Sequence, residues 1–211
     1  MGDPKFLRRT YDTPKHPWEQ ARMDEERKLL AKYGLKNKRE LWKAESLLRN
    51  YRRQARQLQA RLRAKEPQAE KETKWLLDSL ARLGMLPTGT PSLDDVLALE
   101  TSDLVQRRLQ WIVYVKGLAA TTHQARQLIV HGHISVGDHR VTRPGYFVRS
   151  EEEPRIAYDG SSPLSDEGHQ IRSAIRAKAE SAANPVSPMG EGPGAPPGAP
   201  SAPGPAPAGG A

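Results

Sequence analysis

Cysteine is absent from the 211 residues of this chain. Its absence excludes disulfide bridges, thiolate zinc sites, iron–sulfur clusters and cysteine nucleophiles. Aromatic residues are scarce, at 6%, and hydrophobic residues make up only 36% of the sequence. We therefore expect a modest hydrophobic core, or one that is shared with a binding partner.

Hydrophobic segments long enough for a membrane are missing as well. The densest apolar run that we identify, residues 111–115, is far shorter than the roughly 20 residues that a membrane-spanning helix needs. The N-terminus is polar, and Phe6 stands where a myristoylation signal has serine or threonine. We predict no secretory signal, no membrane partner and a cytoplasmic location.

Catalytic and metal-binding motifs are a third absence. The chain contains no G-x-S-x-G, no P-loop and no H-E-x-x-H. His123, His131, His133 and His139 lie close together in sequence, but Asp138 is the only carboxylate near them. We interpret these histidines as exposed or partner-facing side chains, and we expect no catalytic residue, no metal and no other cofactor.

Positive charge is in excess. Lysine and arginine number 33 against 25 aspartates and glutamates, for a net charge of +8. Residues 1–66 hold 19 basic and 9 acidic side chains, residues 103–150 hold 7 and 2, and residues 67–102 are net acidic. Two basic segments separated by an acidic one indicate an anionic partner such as a nucleic acid.

The N-terminal part is predicted to form an extended arm and two charged helices. Prolines before residue 18 favour extended backbone in the arm. Residues 19–33 have a helical pattern that Gly34 ends. Asn37 is in position to cap a longer helix with leucines and alanines every three or four residues, and Pro67 is predicted to end it.

This second helix carries arginines opposite its apolar face. Acidic side chains are missing from residues 50–65, so pairs along the helix cannot neutralise these arginines. An unneutralised face favours phosphate binding over the solvated surface that is usual for mixed-charge helices. The face consists of Arg49, Arg52, Arg53, Arg56, Arg61 and Arg63.

Further helices are predicted along residues 67–131. One passes through Trp75 and closes at Gly84, and Ser92 begins an S-x-x-D pattern that caps the apolar residues 96–99. Residues 104–115 are predicted to form a single helix, and Thr122 is predicted to cap the next one. Trp111 within the single helix is expected to pack on a neighbouring helix.

Short strands follow, so the predicted fold class is α+β. Ile134 and Val136 alternate as in a strand, Gly137 and Asp138 form a turn, and Val141 continues the return strand before residues 146–148. We divide the chain into a basic arm and helical domain (1–103), a helix–helix–strand domain (104–167), a helical extension (168–183) and a tail rich in proline, glycine and alanine that we expect to be disordered (184–211).

Two sets of motifs carry a family resemblance. The runs RRLQ at 107–110, KGLA at 116–119, HQARQLIVHGHI at 123–134 and RVTRPGY at 140–146 resemble the RNA-binding module named after ribosomal protein S4. The runs HPW at 16–18 and YGLKNKRELW at 33–42 resemble the archaeal and eukaryotic form of that ribosomal protein family. The family usually has an Asn-Gly turn where this chain has GDH at 137–139.

This resemblance covers roughly residues 1–170 and implies a structural role in the ribosome. It implies a primary binder of small-subunit (16S-type) ribosomal RNA, seated on a multi-helix junction, that nucleates subunit assembly and contributes to translational accuracy. The implied partners are that RNA, neighbouring small-subunit ribosomal proteins and the messenger RNA where it enters the ribosome. The implied module is a helical pair followed by short strands, and no enzymatic activity is implied.

Candidate RNA contacts are chosen from the basic and amide side chains. A-form RNA is recognised through phosphates, 2′-hydroxyls and unpaired bases, and arginine presents a planar fork to phosphate oxygens. The first candidates are Arg107 and Arg108 on one helix and Arg126 and Gln127 on the next, on an arc that carries no acid. The full predicted set is Arg8, Arg9, Lys36, Lys38, Arg39, Arg49, Arg52, Arg53, Arg56, Arg107, Arg108, His123, Gln124, Arg126, Gln127, His131, His133, Arg140 and Arg143.

Three alternatives remain open at this point. A stand-alone RNA-binding or ribosome-associated factor would use the same module. A nucleotide-modifying enzyme or tRNA synthetase would need residues 1–100 as its catalytic domain, and those residues are helical, basic and without convergent carboxylates. Two helices with a basic face also suit a helix-turn-helix, but the strands and the N-terminal arm argue against DNA binding.

Overall fold

A computed structural model describes residues 9–86 and 89–183 of the protein, with side chains up to residue 178. Arg8 of the predicted RNA-binding set and the predicted tail at 184–211 lie outside the described residues. In the described ranges, no helix combines the length and hydrophobicity needed to cross a bilayer.

Five helices make up most of the described part of the N-terminal half. They are α1 (Gln20–Tyr33), α2 (Lys38–Arg63), α3 (Pro67–Arg82), α4 (Leu93–Ala98) and α5 (Thr101–Gln106). Local hydrogen bonds set several of their ends as predicted. Gly34 ends α1 in the left-handed conformation (φ 63°), the Asn37 side chain accepts from the Glu40 backbone N–H, and Ser92 forms a capping box with Asp95.

Pro67 has a different role from the one predicted. α2 already ends at Arg63, and Pro67 is the first residue of α3. Proline suits this position because the first turn of a helix leaves its backbone N–H groups without intrahelical partners. The residue therefore starts a helix instead of ending one.

The single helix predicted at 104–115 is wrong, because the chain leaves the helical conformation at Arg107 and Arg108. α5 ends before these residues, and α6 (Leu109–Val115) begins after them. Arg108 has extended backbone and pairs with Phe147 in an isolated bridge, and the Arg107 carbonyl accepts from the Val148 N–H at 3.1 Å. A segment that lies 39 to 41 residues downstream thus replaces the helical hydrogen bonds. The predicted strand at 146–148 is reduced to this bridge.

α7 (Thr122–Val130) is capped one residue earlier than predicted. The Thr121 hydroxyl, and not that of Thr122, accepts from the backbone N–H of Gln124 at 3.1 Å. Thr122 is instead buried. Both threonines can cap a helix, so the choice between them depends on the packing of Thr122.

A small antiparallel sheet follows α7. Its strands are β1 (Ile134–Val136), β2 (His139–Arg140) and β3 (Ile156–Tyr158), in the order β2-β1-β3. The turn at Gly137 and Asp138 is confirmed, with Gly137 at φ 60°. Val141 lies beyond β2, and sequence analysis missed β3, which follows a charged stretch and a short 3₁₀ turn (Glu153–Arg155).

The α+β fold is confirmed, and its buried side chains form three clusters. One lies between α6, α7 and the sheet, and a second lies between α2, α3 and α4. The third joins the two halves of the chain: Tyr33, Leu41 and Ala44 pack with Val105 and Trp111. The ring centroids of Tyr33 and Trp111 are 4.8 Å apart, so Trp111 packs against another part of the fold as expected.

The last described element is α8 (Gln170–Ala183). A 3₁₀ turn (Pro163–Ser165) leads to it, and Leu164 of this turn is buried in the cluster between α7 and the sheet. Ile175 of α8 is also buried. The start of α8 therefore lies against the C-terminal half of the fold.

Candidate nucleic-acid interface

Arg107 makes three intramolecular contacts at the break between α5 and α6. Its Nε donates to the Leu83 carbonyl at 2.7 Å, its Nη1 lies 2.9 Å from a Glu153 carboxylate oxygen, and its Nη2 donates to the Val148 carbonyl at 3.3 Å. The side chain is only 16% exposed. Its guanidinium group therefore joins the end of α3 to the 3₁₀ turn before β3.

Arg108 and Arg126 share one carboxylate, that of Glu40 on α2. Arg126 Nη2 lies 2.6 Å from Glu40 Oε1, and Arg108 Nη1 lies 3.1 Å from Glu40 Oε2. The three side chains are 13–22% exposed. The arc of α7 that carries Arg126 has no acid of its own, as the sequence shows, but folding brings in an acid that lies 68 residues from Arg108 and 86 residues from Arg126 along the chain.

The shared carboxylate is held in its ionised form. Burial opposes the ionisation of Glu40, but the hydrogen bond and charge of Arg126, followed by the charge and hydrogen bond of Arg108, outweigh it. The pKa of Glu40 therefore lies below its ordinary value of 4.5. Burial lowers the pKa of Arg108, and Glu40 partly offsets that effect. Both groups are charged at neutral pH, so the arrangement is an ion pair.

Gln110 completes this contact, and sequence analysis missed it. The side chain is buried, its Nε2 donates to the carbonyls of Gly34 (2.7 Å) and Thr122 (3.0 Å), and its Oε1 accepts from Arg126 at 3.1 Å. It is the one buried polar side chain of α6. An amide in a helix whose other residues are aliphatic or aromatic was the sequence signal that could have identified it. Gln110, Glu40 and the two arginines together connect α1 and α2 with α6 and α7.

The accessible part of the predicted module surface lies on α7 and the hairpin. His123 and Gln127 are exposed on α7, and His131, Arg140 and Arg143 are exposed after its end. Arg140 Nη2 donates to the His131 carbonyl at 3.1 Å, which places a cation next to the C-terminus of α7. These side chains present donors and positive charge toward solvent.

Two further polar residues of this set are partly engaged. Gln124 is half-buried, and its Oε1 accepts from the Ala120 N–H at 2.8 Å. His133 is half-buried, with Nδ1 2.8 Å from the Ser162 hydroxyl and its ring 6.4 Å from that of His131. Within the described ranges, no three histidine or carboxylate side chains are grouped closely enough to hold a metal ion.

The family comparisons bear on both halves of this arrangement. Residues 5–106 match the family described as "Ribosomal protein S4/S9 N-terminal domain", and residues 107–153 match the "S4 domain". The "Small ribosomal subunit protein uS4" of Picrophilus torridus is 52% identical over 82% of this chain and 93% of its own length. The proteins of the same name from Thermoplasma acidophilum (49% identical, 90% of this chain and 96% of the relative) and Methanococcus maripaludis (50%, 82% and 96%) are similar to it as well.

The chain belongs to the uS4 family. The resemblance stated from the motifs, including the archaeal form, is thereby confirmed. The boundary between the two matched uS4 segments, at residues 106 and 107, coincides with the break between α5 and α6. Glu40 therefore lies in one uS4 segment, and both of its arginine partners lie in the other.

On α2 of this uS4 chain, only part of the predicted arginine face is free of intramolecular partners. Arg49 Nη1 lies 2.8 Å from Asp12 of the N-terminal arm, and the half-buried Arg52 donates to the Leu99 carbonyl. Arg53 and Arg56 are exposed and form no ion pair within the described ranges. Pairing along the helix is absent as predicted, but other segments supply partners for some members.

The basic residues near the start of α2 divide in the same way. Lys38 Nζ lies 2.9 Å from Glu26, a buried carboxylate that also accepts from Arg22 (2.6 Å) and Trp42 (3.1 Å). Lys36 and Arg39 are exposed and have no acidic partner among the described residues. Arg9 is exposed and lies over the Tyr11 ring, 5.4 Å from its centroid.

Glu26 is a second acid that sequence analysis did not single out. Burial opposes its ionisation, but Lys38, Trp42 and Arg22 together hold its pKa below the ordinary value of 4.5. The pair with Arg22 is readable from the spacing of four residues along α1. The contacts of Lys38 and Trp42 arise only when α1 packs on α2.

Proposed function

We propose that this uS4-family chain is a structural constituent of the small ribosomal subunit and binds its ribosomal RNA without enzymatic activity. Family membership over more than four-fifths of the chain supports the ribosomal role. The structural observation that carries the binding role is that the basic side chains fall into two groups. One group is paired with acids inside the fold, and the other is exposed without an acidic partner among the described residues.

The exposed group supplies the proposed RNA contacts. On α2 and just before it, Lys36, Arg39, Arg53 and Arg56 present cations to phosphates. On the C-terminal half, Arg140 and Arg143 present the corresponding cations, and His123, Gln127 and His131 present hydrogen-bonding groups. Arginine forks and histidine or amide donors match the phosphates and 2′-hydroxyls that A-form RNA displays.

Arg107, Arg108 and Arg126 stay in the proposed set, but in a secondary place. Their guanidinium groups already contact Glu153 and Glu40, so an RNA phosphate would have to compete with a carboxylate. We propose that these arginines act mainly by keeping the two matched family segments in one arrangement. The exposed cations of both segments can then contact a single folded RNA.

The finer parts of the proposal follow from the family. We propose that binding to 16S-type RNA is an early step that nucleates subunit assembly, and that the protein works on cytoplasmic ribosomes. We also propose contacts with neighbouring ribosomal proteins, a place near the messenger RNA where it enters the ribosome, and an influence on translational accuracy. The alternative of a stand-alone factor predicts protein free of small subunits on sedimentation at moderate salt, whereas the present proposal predicts co-sedimentation.

Binding of the full chain to small-subunit RNA, measured over a range of salt concentrations, tests the proposal. Each phosphate contact adds a slope of roughly −0.7 to −0.9 to the plot of log affinity against log salt. Arg56→Gln is expected to make the slope shallower by the contribution of about one phosphate contact. Arg61→Gln is the matched control on the same helix, since Arg61 already pairs with Glu72 at 3.2 Å. Salt-independent binding of the unchanged protein would refute the proposal, and equal slopes for the two variants would refute the assignment of Arg56.

A further inference from the structure

A cavity of about 340 Å³ lies between α7, the 3₁₀ turn at Pro163–Ser165 and the beginning of α8. It is separate from the Glu40 ion pairs, because none of its lining residues belongs to that contact. Its position on α7 places it beside the exposed arc that carries His123 and Gln127. The cavity therefore opens on the surface that we propose to face RNA.

The lining of the cavity combines an apolar floor with a polar edge. Leu128 and Leu164 form apolar parts of the wall and are themselves buried. Gln127, His131 and His133 form polar parts of the edge, and none of the described residues that line the cavity is a carboxylate. The leucines suit the face of a flat aromatic ring, and the polar side chains suit the polar atoms on the edge of that ring. The lack of carboxylates in this lining suits a ligand that carries a phosphate.

Several hydrogen-bonding groups at this edge are unused. His133 Nδ1 is taken by the Ser162 hydroxyl, which leaves its Nε2 for another partner. His169 Nδ1 accepts from the Ile171 N–H, which likewise leaves Nε2. The side-chain amide of Gln127 makes no hydrogen bond to any described residue. An amide offers a donor and an acceptor side by side, which is the pattern that the edge of a nucleobase requires.

A cation stands next to the same edge. Arg140 donates to the carbonyl of His131, and its exposed guanidinium lies where α7 ends. A base that enters the cavity would bring its own phosphate with it, and Arg140 is an exposed cation that is hydrogen-bonded to a lining residue, His131. The cavity and the arginine thus match different parts of one nucleotide.

We propose that this cavity receives a single unpaired nucleobase of the small-subunit ribosomal RNA. The base packs against the leucines and an imidazole ring, and Gln127 hydrogen-bonds its edge. The inference rests on the proposed function and adds to it a site that recognises a base and not only the backbone. Single-stranded bases in loops and bulges are the parts of RNA that proteins read in this way, and stacking contributes about 1–3 kcal/mol per base.

The test compares Gln127→Ala with Gln57→Ala, an exposed glutamine to alanine change on α2 outside the cavity. The full chain is bound to full-length small-subunit RNA, and the affinity is measured over a range of salt. The bound RNA is probed with dimethyl sulfate, which reports adenine and cytosine, and with a carbodiimide, which reports uracil and guanine. We expect Gln127→Ala to lower the affinity about tenfold without changing the salt slope, because no phosphate contact is lost. One unpaired base that the unchanged protein protects should become reactive in this variant only.

A second variant, Ile171→Trp, fills the mouth of the cavity from α8 and should expose the same base. Circular dichroism and thermal unfolding check that each variant is folded. The pocket is overturned if no base changes its reactivity, if the salt slope falls together with the affinity, or if the control loses the same protection. Absence of salt-sensitive RNA binding by the unchanged protein would overturn the proposed function first, and the pocket with it.

Discussion

Replacement of Glu40 by glutamine is expected to lower the free energy of unfolding by about 3 kcal/mol. Glu40 accepts from Arg126 at 2.6 and 3.3 Å and from Arg108 at 3.1 Å. Glutamine keeps the shape but turns an NH₂ group toward one of the two guanidinium groups, so donor faces donor. Two arginines that are only 13% and 22% exposed then lack a counter-charge.

The magnitude follows from the geometry of the contact. Removal of one partner from a fully buried ion pair costs about 3–5 kcal/mol. Partial exposure of Glu40 and Arg126 lets water replace some of the lost interaction, and Arg126 keeps its hydrogen bond to Gln110 at 3.1 Å. Both facts move the expected cost to the lower end of the range.

Urea unfolding at pH 7 measures this cost, with Glu45→Gln as the matched control on the same helix. Glu45 is half-buried, and burial followed by the charge of Glu26 raises its pKa above the ordinary value of 4.5. Its charged form is therefore disfavoured in the fold, and glutamine should be neutral or slightly stabilising there. Equal destabilisation by the two variants would refute the role assigned to the Glu40 carboxylate.

The dependence on pH gives a second check on the same residue. The folded-state pKa of Glu40 is lowered, so its stabilisation is present above the ordinary pKa of 4.5 and is lost as the pH falls through the folded-state pKa. The gap between the unchanged protein and Glu40→Gln should shrink in acid. The raised pKa of Glu45 gives the opposite sign: any advantage of Glu45→Gln should appear only as the pH rises above 4.5.

Two further perturbations test other parts of the fold. Gly34→Ala should lower the free energy of unfolding by about 3 kcal/mol. Strain at positive φ costs about 1–2 kcal/mol of this. The rest comes from crowding, because a Cβ there would lie 2.7 Å from Thr122 Cβ and 2.8 Å from Gln110 Nε2. Gly117 has a similar φ of 72°, but a Cβ there would meet open space, so Gly117→Ala should show the cost of backbone strain alone in thermal unfolding. Equal destabilisation by the two variants would contradict the crowding assigned to Gly34. Ser92→Ala removes the capping box of α4 and should cost about 1 kcal/mol in urea unfolding, and an unchanged midpoint would show that this cap contributes nothing.

Features that depend on neighbours along the chain were predictable. Gly34, Asn37 and Ser92 set helix ends through hydrogen bonds that span three to five residues, so their role can be read from the sequence alone. The α+β class and the family resemblance also rest on local patterns and motifs, and both are confirmed. The exposure of Arg53 and Arg56 agrees with the absence of acids around them in sequence.

Which cations remain free for a partner was decided by tertiary structure. Arg107, Arg108 and Arg126 are as basic in sequence as Arg53 and Arg56, yet the first three contact carboxylates from distant segments. The helix break at residues 107 and 108 likewise depends on a bridge to Phe147. An ion pair needs its two groups within about 4 Å, and for residues 46 to 86 positions apart only the packing of helices, turns and sheet sets that distance.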